Sequence, residues 1–244
     1  MLANWSDKKI EWYVRASKWT GYHQKLADRI RPLLKKTDHV VDLGCGPGLI
    51  DMAIASDVKK ITAIDINTIV LNHYNNVIAG DGHHNIQTLC GDAKAQPEEL
   101  IPDEFDVALF CFFGGPHAAF KSAQRKASRL TINITHGNAM QEASSIISDE
   151  FQRVYEDEME AYLVSEGIRY TKTSEWIDFS QPLLSMDEAK SFFETYASEG
   201  EEGSAERRAQ IERQLSFVER IDDPVYPLRY IKPKDTAIFV IEKN

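Results

Sequence analysis

The residues with the most chemical content lie in one stretch, Val40-Val-Asp-Leu-Gly-Cys-Gly-Pro-Gly48, where an apolar run passes through an aspartate into three alternate glycines. Glycines let the backbone take φ values other residues resist and let it approach a ligand closely. If the run is a buried strand leading into a helix, its ligand lies outside the carboxyl ends of parallel strands. Two more acids end apolar runs: Asp65 in Ala63-Ile-Asp-Ile-Asn67, and Asp92 in Cys90-Gly-Asp-Ala93. An acid roughly 20 residues after such a turn, as Asp65 is, can accept hydrogen bonds from both ribose hydroxyls. Asp92 can accept from an adenine amino group while the Ala93 N–H donates to the ring. Each also has a plainer reading, Asp65 as a helix N-cap and Asp92 as a turn or cap aspartate.

The ligand class follows from the spacing. Dinucleotide turns read G-x-G-x-x-G and hold a pyrophosphate at a helix N-terminus. Here the third glycine is Gly48, and Leu49 stands where glycine or alanine is needed. Asp42, two residues before the first glycine, would repel a pyrophosphate but suits the cationic amino-acid end of S-adenosylmethionine (SAM). No Gly-Lys-Ser/Thr follows, so the turn is not a P-loop.

In this order the three motifs resemble the core of the class I SAM-dependent methyltransferases over residues 39–135. VVDLGCGPG resembles the first motif, Asp65 the acidic ribose residue, and Cys90–Ala93 the adenine turn. Phe105-Asp-Val-Ala-Leu-Phe-Cys-Phe-Phe-Gly114 resembles the fourth strand leading to the active site. The resemblance implies an α/β fold: a three-layer Rossmann-like sandwich around a seven-stranded, mostly parallel sheet with an antiparallel last strand and a helical N-terminal cap. It implies SAM as cofactor and S-adenosylhomocysteine as product. The expected cofactor contacts are Asp42, Gly44, Cys45, Gly46, Gly48, Asp65, Ile66, Asp92, Ala93 and Phe110. The family often uses an N-terminal helix as a lid, which adds Tyr13, Trp19 and Tyr22, since ring faces attract a sulfonium. The plainer reading is core, the usual fate of aromatics at helical spacing.

The implied reaction is an in-line displacement on an already activated methyl group, so positioning and water exclusion do most of the catalysis. No fixed catalytic residue follows from it. His117 and His136, after the fourth and fifth strands, are the candidates for a general base, beside the plainer reading of helix-start or loop histidines. No Asn-Pro-Pro-Tyr-like motif follows the fourth strand; Cys111-Phe-Phe-Gly-Gly-Pro-His117 stands there. The formal charge of −10 also argues against a phosphate-neutralising partner. A small-molecule acceptor is therefore expected, with no nucleic acid and no membrane partner. A non-catalytic SAM-binding subunit and an aminopropyltransferase using decarboxylated SAM are the rival readings.

The elements that must position these residues follow from periodicity. Apolar runs alternating with amphipathic stretches indicate a parallel sheet with crossover helices. Strands are expected at His39–Leu43, Lys60–Asp65, Ile86–Cys90, Phe105–Phe112 and Arg129–Thr135, with later strands at Tyr170–Phe179 and Thr236–Glu242. Helices are expected at Leu49–Ser56, Thr68–Ala79, Pro97–Leu100, His117–Ala127 and Ala205–Arg220. Ser185-Met-Asp-Glu resembles a capping box. An acidic segment, 138–166, carries Phe151, Val154, Tyr155, Met159, Tyr162 and Leu163 at helical spacing, which suits a solvated helix or part of a substrate lid. Ser198–Ser204 reads as a mobile loop.

The resemblance implies one methyltransferase domain over 1–244, with an expected cap (1–35), SAM-binding core (36–135), insertion or lid (136–170) and C-terminal strands and helices (171–244). The three cysteines, Cys45, Cys90 and Cys111, lack disulfide or metal spacing and read as buried reduced thiols. No spacing resembles a metal site. The N-terminus has no signal-peptide apolar stretch and no run is long enough for a membrane span, so a cytoplasmic location is expected. A homodimer is left open.

Overall fold

The computed structural model describes residues 5–137, 155–196 and 205–243. Two helices lead the chain, α1 (Asp7–Thr20) and α2 (Tyr22–Ile30). Gly21 separates them at φ 68°, a left-handed C-cap whose N–H bonds back to Ser17. Alternation then begins: β1 (His39–Leu43), α3 (Leu49–Ile54), β2 (Lys60–Asp65), α4 (Thr68–Asp81), β3 (Ile86–Cys90), α5 (Pro97–Leu100), β4 (Val107–Cys111), α6 (Ala118–Lys126) and β5 (Leu130–His136). After α7 (Tyr155–Ser165) and β6 (Thr171–Asp178) the chain builds β7 (Gln181–Leu183), α8 (Met186–Tyr196), α9 (Ala205–Leu215), β8 (Val218–Arg220) and β9 (Leu228–Tyr230). It ends in β10 (Pro233–Glu242).

Seven strands form one sheet in the order β3-β2-β1-β4-β5-β10-β6, parallel except for β10, which runs antiparallel to both neighbours. This is the expected Rossmann-like sandwich. Helices cover both faces, so central strands such as β1 are buried along nearly their whole length rather than alternately. On one face α2, α3 and α4 contribute Leu26, Ile30, Ile54, Leu71 and Tyr74 to the core. On the other, α6 and α7 contribute Phe120, Met159 and Leu163. Because β10 is antiparallel, its first residues overhang the carboxyl ends of the parallel strands; Thr236 pairs with His136, the last residue of β5.

The stretch between β6 and β10 departs from the simple reading. It makes a second sheet, β7-β9-β8, with its own core of Leu183, Phe192, Phe193, Ile211 and Tyr230 around Trp12 from α1. The helix expected over Ala205–Arg220 stops at Leu215, because Val218–Arg220 pair with β9 instead. The capping box at Ser185 forms in part: its Oγ accepts from Glu188 N–H, while the Glu188 carboxylate accepts from Leu184 N–H rather than from Ser185. β4 is shorter than expected. Asp106 leaves the strand to accept from His39 N–H, and Phe112 turns left-handed at φ 56°.

The expectation of three buried thiols holds only for Cys45: Cys90 is exposed because β3 is an edge strand, and Cys111, at the end of β4, is part-buried. Phe151, Val154 and the loop Ser198–Ser204 lie outside the described residues. Among those described, no helix is long and apolar enough to cross a membrane.

Candidate cofactor and acceptor site

The glycine turn joins β1 to α3, with Gly44, Gly46 and Gly48 at φ 74°, 53° and 71°. Its N–H groups are engaged within the protein. Those of Gly44 and Cys45 bond to Ile64 C=O at 2.8 and 3.1 Å, that of Gly48 to Cys45 C=O at 3.0 Å, and that of Gly46 to the Asp65 carboxylate at 2.9 Å. None of the four is left for a pyrophosphate. The glycines also make room for rings: a Cβ on Gly44 would lie 1.9 Å from the Phe113 ring, and one on Gly48 2.0 Å from the Tyr74 ring. Trp5 lies 3.5 Å from where a Cβ on Gly46 would stand.

Beneath the turn three acids gather. Asp42 is fully buried, and neither oxygen meets a hydrogen-bond donor among the described residues. Burial and then the charge of Asp51 push its pKa well up. Asp51, buried on α3, accepts from the Tyr74 hydroxyl at 3.0 Å, and burial pushes it up to about 7. Two carboxyls this close and this dry cannot both ionise, so they hold a proton between them. Asp65 ends β2 and accepts from Gly46 N–H and Asn67 N–H, each at 2.9 Å. The cap of α4 is Asn67, not Asp65, since Asn67 accepts from Ile69 and Val70 N–H. Each carboxylate oxygen can accept more than one bond, so Asp65 keeps capacity for ribose hydroxyls. Ile66 beside it is 38% exposed, an apolar face for a base. Asp92 accepts from Lys94 and Ala95 N–H through Oδ1, as a turn aspartate does, and Ala93 is buried. An acidic, amide-poor cradle fits the cationic end of SAM.

The other expected contacts divide. Phe110 is 1% exposed and packs on Phe113 and Phe120, so it offers no surface to a ligand. A strand side chain between β1 and β5, under α6, is core. Trp19 turns away and donates to Asp223 at 3.2 Å, because it lies on the far side of α1 from Tyr13. Tyr13 faces inward against Trp5 and Phe179. Its hydroxyl is 3.1 Å from His23 Nε2, and His23 Nδ1 is 2.6 Å from Ser17 Oγ, a buried chain that orients the ring. Tyr22 is buried between Phe179 and Phe112.

Neither histidine is placed as a base. His117 caps α6, its Nδ1 accepting from Phe120 N–H and its Nε2 lying 3.2 Å from Phe113 C=O. Burial lowers it to about 4. His136 packs 4.7 Å from the Phe112 ring, and burial followed by the charges of Lys234 and Lys232 lowers it to about 3. A base with a pKa that low holds a proton poorly near neutrality.

Sequence reasoning missed Trp5, Asp51, Tyr74 and Phe113, all in contact with the turn or the acids beneath it. Asp51 carried a signal: a carboxylate in the first turn of a helix whose neighbours, Ile50 and Ile54, are both buried. Across the site, Gly114 and Gly115 face Tyr155 and Glu158 of α7.

Residues 40–131 match a family model described as a methyltransferase domain. The uncharacterized protein MJ1452 of Methanocaldococcus jannaschii is 31% identical over 85 residues, 33% of this chain and 33% of that relative's length. Among solved structures, the YcgJ protein of Bacillus subtilis superposes with a TM-score of 0.58 at 15% identity, covering 92% of this chain and 99% of its own. A precorrin-6y C5,15-methyltransferase from Geobacter metallireducens reaches 0.50 at 10% identity over 90% and 87%. The fold is shared as well by a chain provisionally named an RNA methyltransferase. Residues 40–131 thus carry a methyltransferase-domain match, and the seven-stranded sheet that contains them has the fold of these solved structures.

Proposed function

We propose that the chain transfers the methyl group of SAM to a small-molecule acceptor. The observation that carries this reading is the turn itself: three left-handed glycines whose amides are internally bonded, set over buried acids and beside the open carboxylate of Asp65. SAM, when bound, supplies a methyl group already activated by a sulfonium. Asp65 and Ile66 would hold the adenosine, with Asp92 and Ala93 at the far end of the base. The acids under Gly44 and Gly46 favour the cationic end.

The chain's remaining task is to place the acceptor and exclude water, for which bound geometry alone supplies a large rate factor. Trp5, Tyr13, Phe112 and Phe113 wall the turn on the side of β4. Such a wall suits a compact acceptor more than a base embedded in a polynucleotide. The charge of −10 points the same way, since nucleic-acid binding rests on neutralising phosphates.

Calorimetry with S-adenosylhomocysteine and NAD tests the cofactor, and cell extract labelled with methyl-tritiated SAM tests the acceptor. S-adenosylhomocysteine should bind and NAD should not, and label should enter a small metabolite. Tighter binding of NAD, or label recovered only in RNA, would refute the reading.

A further inference from the structure

Lys234 is 92% buried by the 8% of its surface left accessible, and it has no place in the cofactor cradle. It lies on β10 two residues before Thr236, the partner of His136, and so projects past the carboxyl end of β5. Its ammonium stands among four rings drawn from four segments: Phe179 at 4.2 Å, Phe112 at 4.5 Å, Tyr22 at 5.1 Å and Tyr13 at 5.6 Å from the ring centroids. Among the described residues, the contacts of its ammonium are these ring faces, with no ion pair or side-chain hydrogen bond beside them. Lys232, half-buried two residues earlier, adds a second positive charge beside it and likewise has no ion pair among the described residues.

A buried amine without an acceptor is unfavourable unless something else satisfies it. Ring faces attract a cation but accept no strong hydrogen bond, so the ammonium keeps donors for a ligand or solvent at its remaining opening. The place is also special. Phe112 holds a left-handed backbone, φ 56°, which a bulky residue adopts only against steric resistance. That turn sends Phe112 towards Lys234 while its neighbour Phe113 lies on Gly44 of the cofactor turn. Adjacent residues of one turn thus touch the lysine and the glycine turn.

We propose that Lys234, supported by Lys232, binds an anionic group of the methyl acceptor, a carboxylate or phosphate carried on a flat apolar body. This rests on the methyltransferase reading above. The rings of Tyr13, Tyr22, Phe112 and Phe179 pack the body, and the lysine supplies the charge-assisted hydrogen bond that sets its orientation.

Binding of benzoate, phenyl phosphate and neutral benzamide to the full chain, with and without S-adenosylhomocysteine, tests this by calorimetry. The two anions should bind at least tenfold more tightly than benzamide. Lys234→Met should abolish that preference, Lys234→Arg should keep part of it, and Lys234→Met should leave S-adenosylhomocysteine affinity within threefold. Removing a buried amine should also raise the melting temperature of Lys234→Met. Equal binding of benzamide and benzoate would overturn the proposal, as would an undiminished anion preference in Lys234→Met or a melting temperature that falls. A tenfold loss of S-adenosylhomocysteine affinity in Lys234→Met, with 5′-methylthioadenosine unaffected, would assign the lysine to the cofactor's carboxylate and overturn it too. A wild-type chain that binds no S-adenosylhomocysteine refutes the methyltransferase reading instead, and anion preference without that ligand then still decides the lysine.

Discussion

Asp65 has two tasks in one carboxylate. It ties Gly46 N–H and Asn67 N–H together, and in the proposed function it is also the acid that meets the ribose. Asp65→Ala should therefore weaken S-adenosylhomocysteine binding by about 2–4 kcal/mol, since hydrogen bonds to a charged group contribute roughly 1.5–3 kcal/mol each and do not add fully. Calorimetry decides it; a loss under threefold would leave Asp65 as a tie for the turn alone. Asp65 and the glycines were legible because their meaning is local: a strand end, a turn, a spacing. Asp51 was not. Its partner Asp42 is on another element, and only the packing of α3 on β1 brings the two carboxyls together.

At the scale of elements, α1 has two unlike jobs on adjacent residues. Trp12, fully buried, fills the core of the small sheet and donates to Glu188 at 3.1 Å, while Tyr13 packs on Phe179 at the end of β6. Arg15 extends the first job by pairing with Glu188 at 2.8 Å, where both side chains are 11% exposed. The small sheet thus holds the helix that presents Tyr13. Trp12→Ala should cost about 3–5 kcal/mol in urea denaturation, the usual range for deleting a buried large aromatic. Hydrogen exchange should rise in α1, β7 and α8 before it rises in the seven-stranded sheet. Exchange rising equally everywhere would show that α1 and the small sheet are not a separable unit. The aromatic run of the N-terminus announced a packing surface, but the division between Trp12 and Tyr13 depends on elements far along the chain.

Across the whole molecule, buried titratable groups set the response to pH. His23 and His136 are lowered to about 3 and His117 to about 4, each chiefly by burial. Below their ordinary value of about 6.5 the unfolded chain binds protons that the folded chain refuses, so stability falls as pH drops from 6.5 towards 4. Asp51 has the opposite sign: raised to about 7, it keeps its proton in the folded state, and its contribution is lost as pH rises from about 4 to 7. With three histidines against one carboxyl pair, acidification should destabilise the protein overall. His23→Gln should flatten that limb by up to a few kcal/mol, measured as urea midpoints between pH 7.5 and 4.5. A variant whose midpoint falls as steeply as the wild type would mean that His23 does not titrate with unfolding.

The sequence by itself determined the parallel core, the glycine turn and the acids at its strand ends. Those signals are short continuous apolar runs, helical spacings between them, and acids or glycines at their ends, and need no distant partner. Five strand and turn positions, from Val40 to Ala93, could be placed on that basis. Only the tertiary structure decided that Phe110 is core, that Trp19 faces Asp223, and that His117 and His136 are neutral packing groups. It also decided where Lys234 stands. In the sequence it is one lysine near the start of a last strand. In the fold, insertion of β10 antiparallel between β5 and β6 carries it past the carboxyl end of β5, among rings from α1, α2 and the ends of β4 and β6. Burial and charge at that point are set by what surrounds the residue, and the neighbours come from segments as far apart as residues 13 and 179.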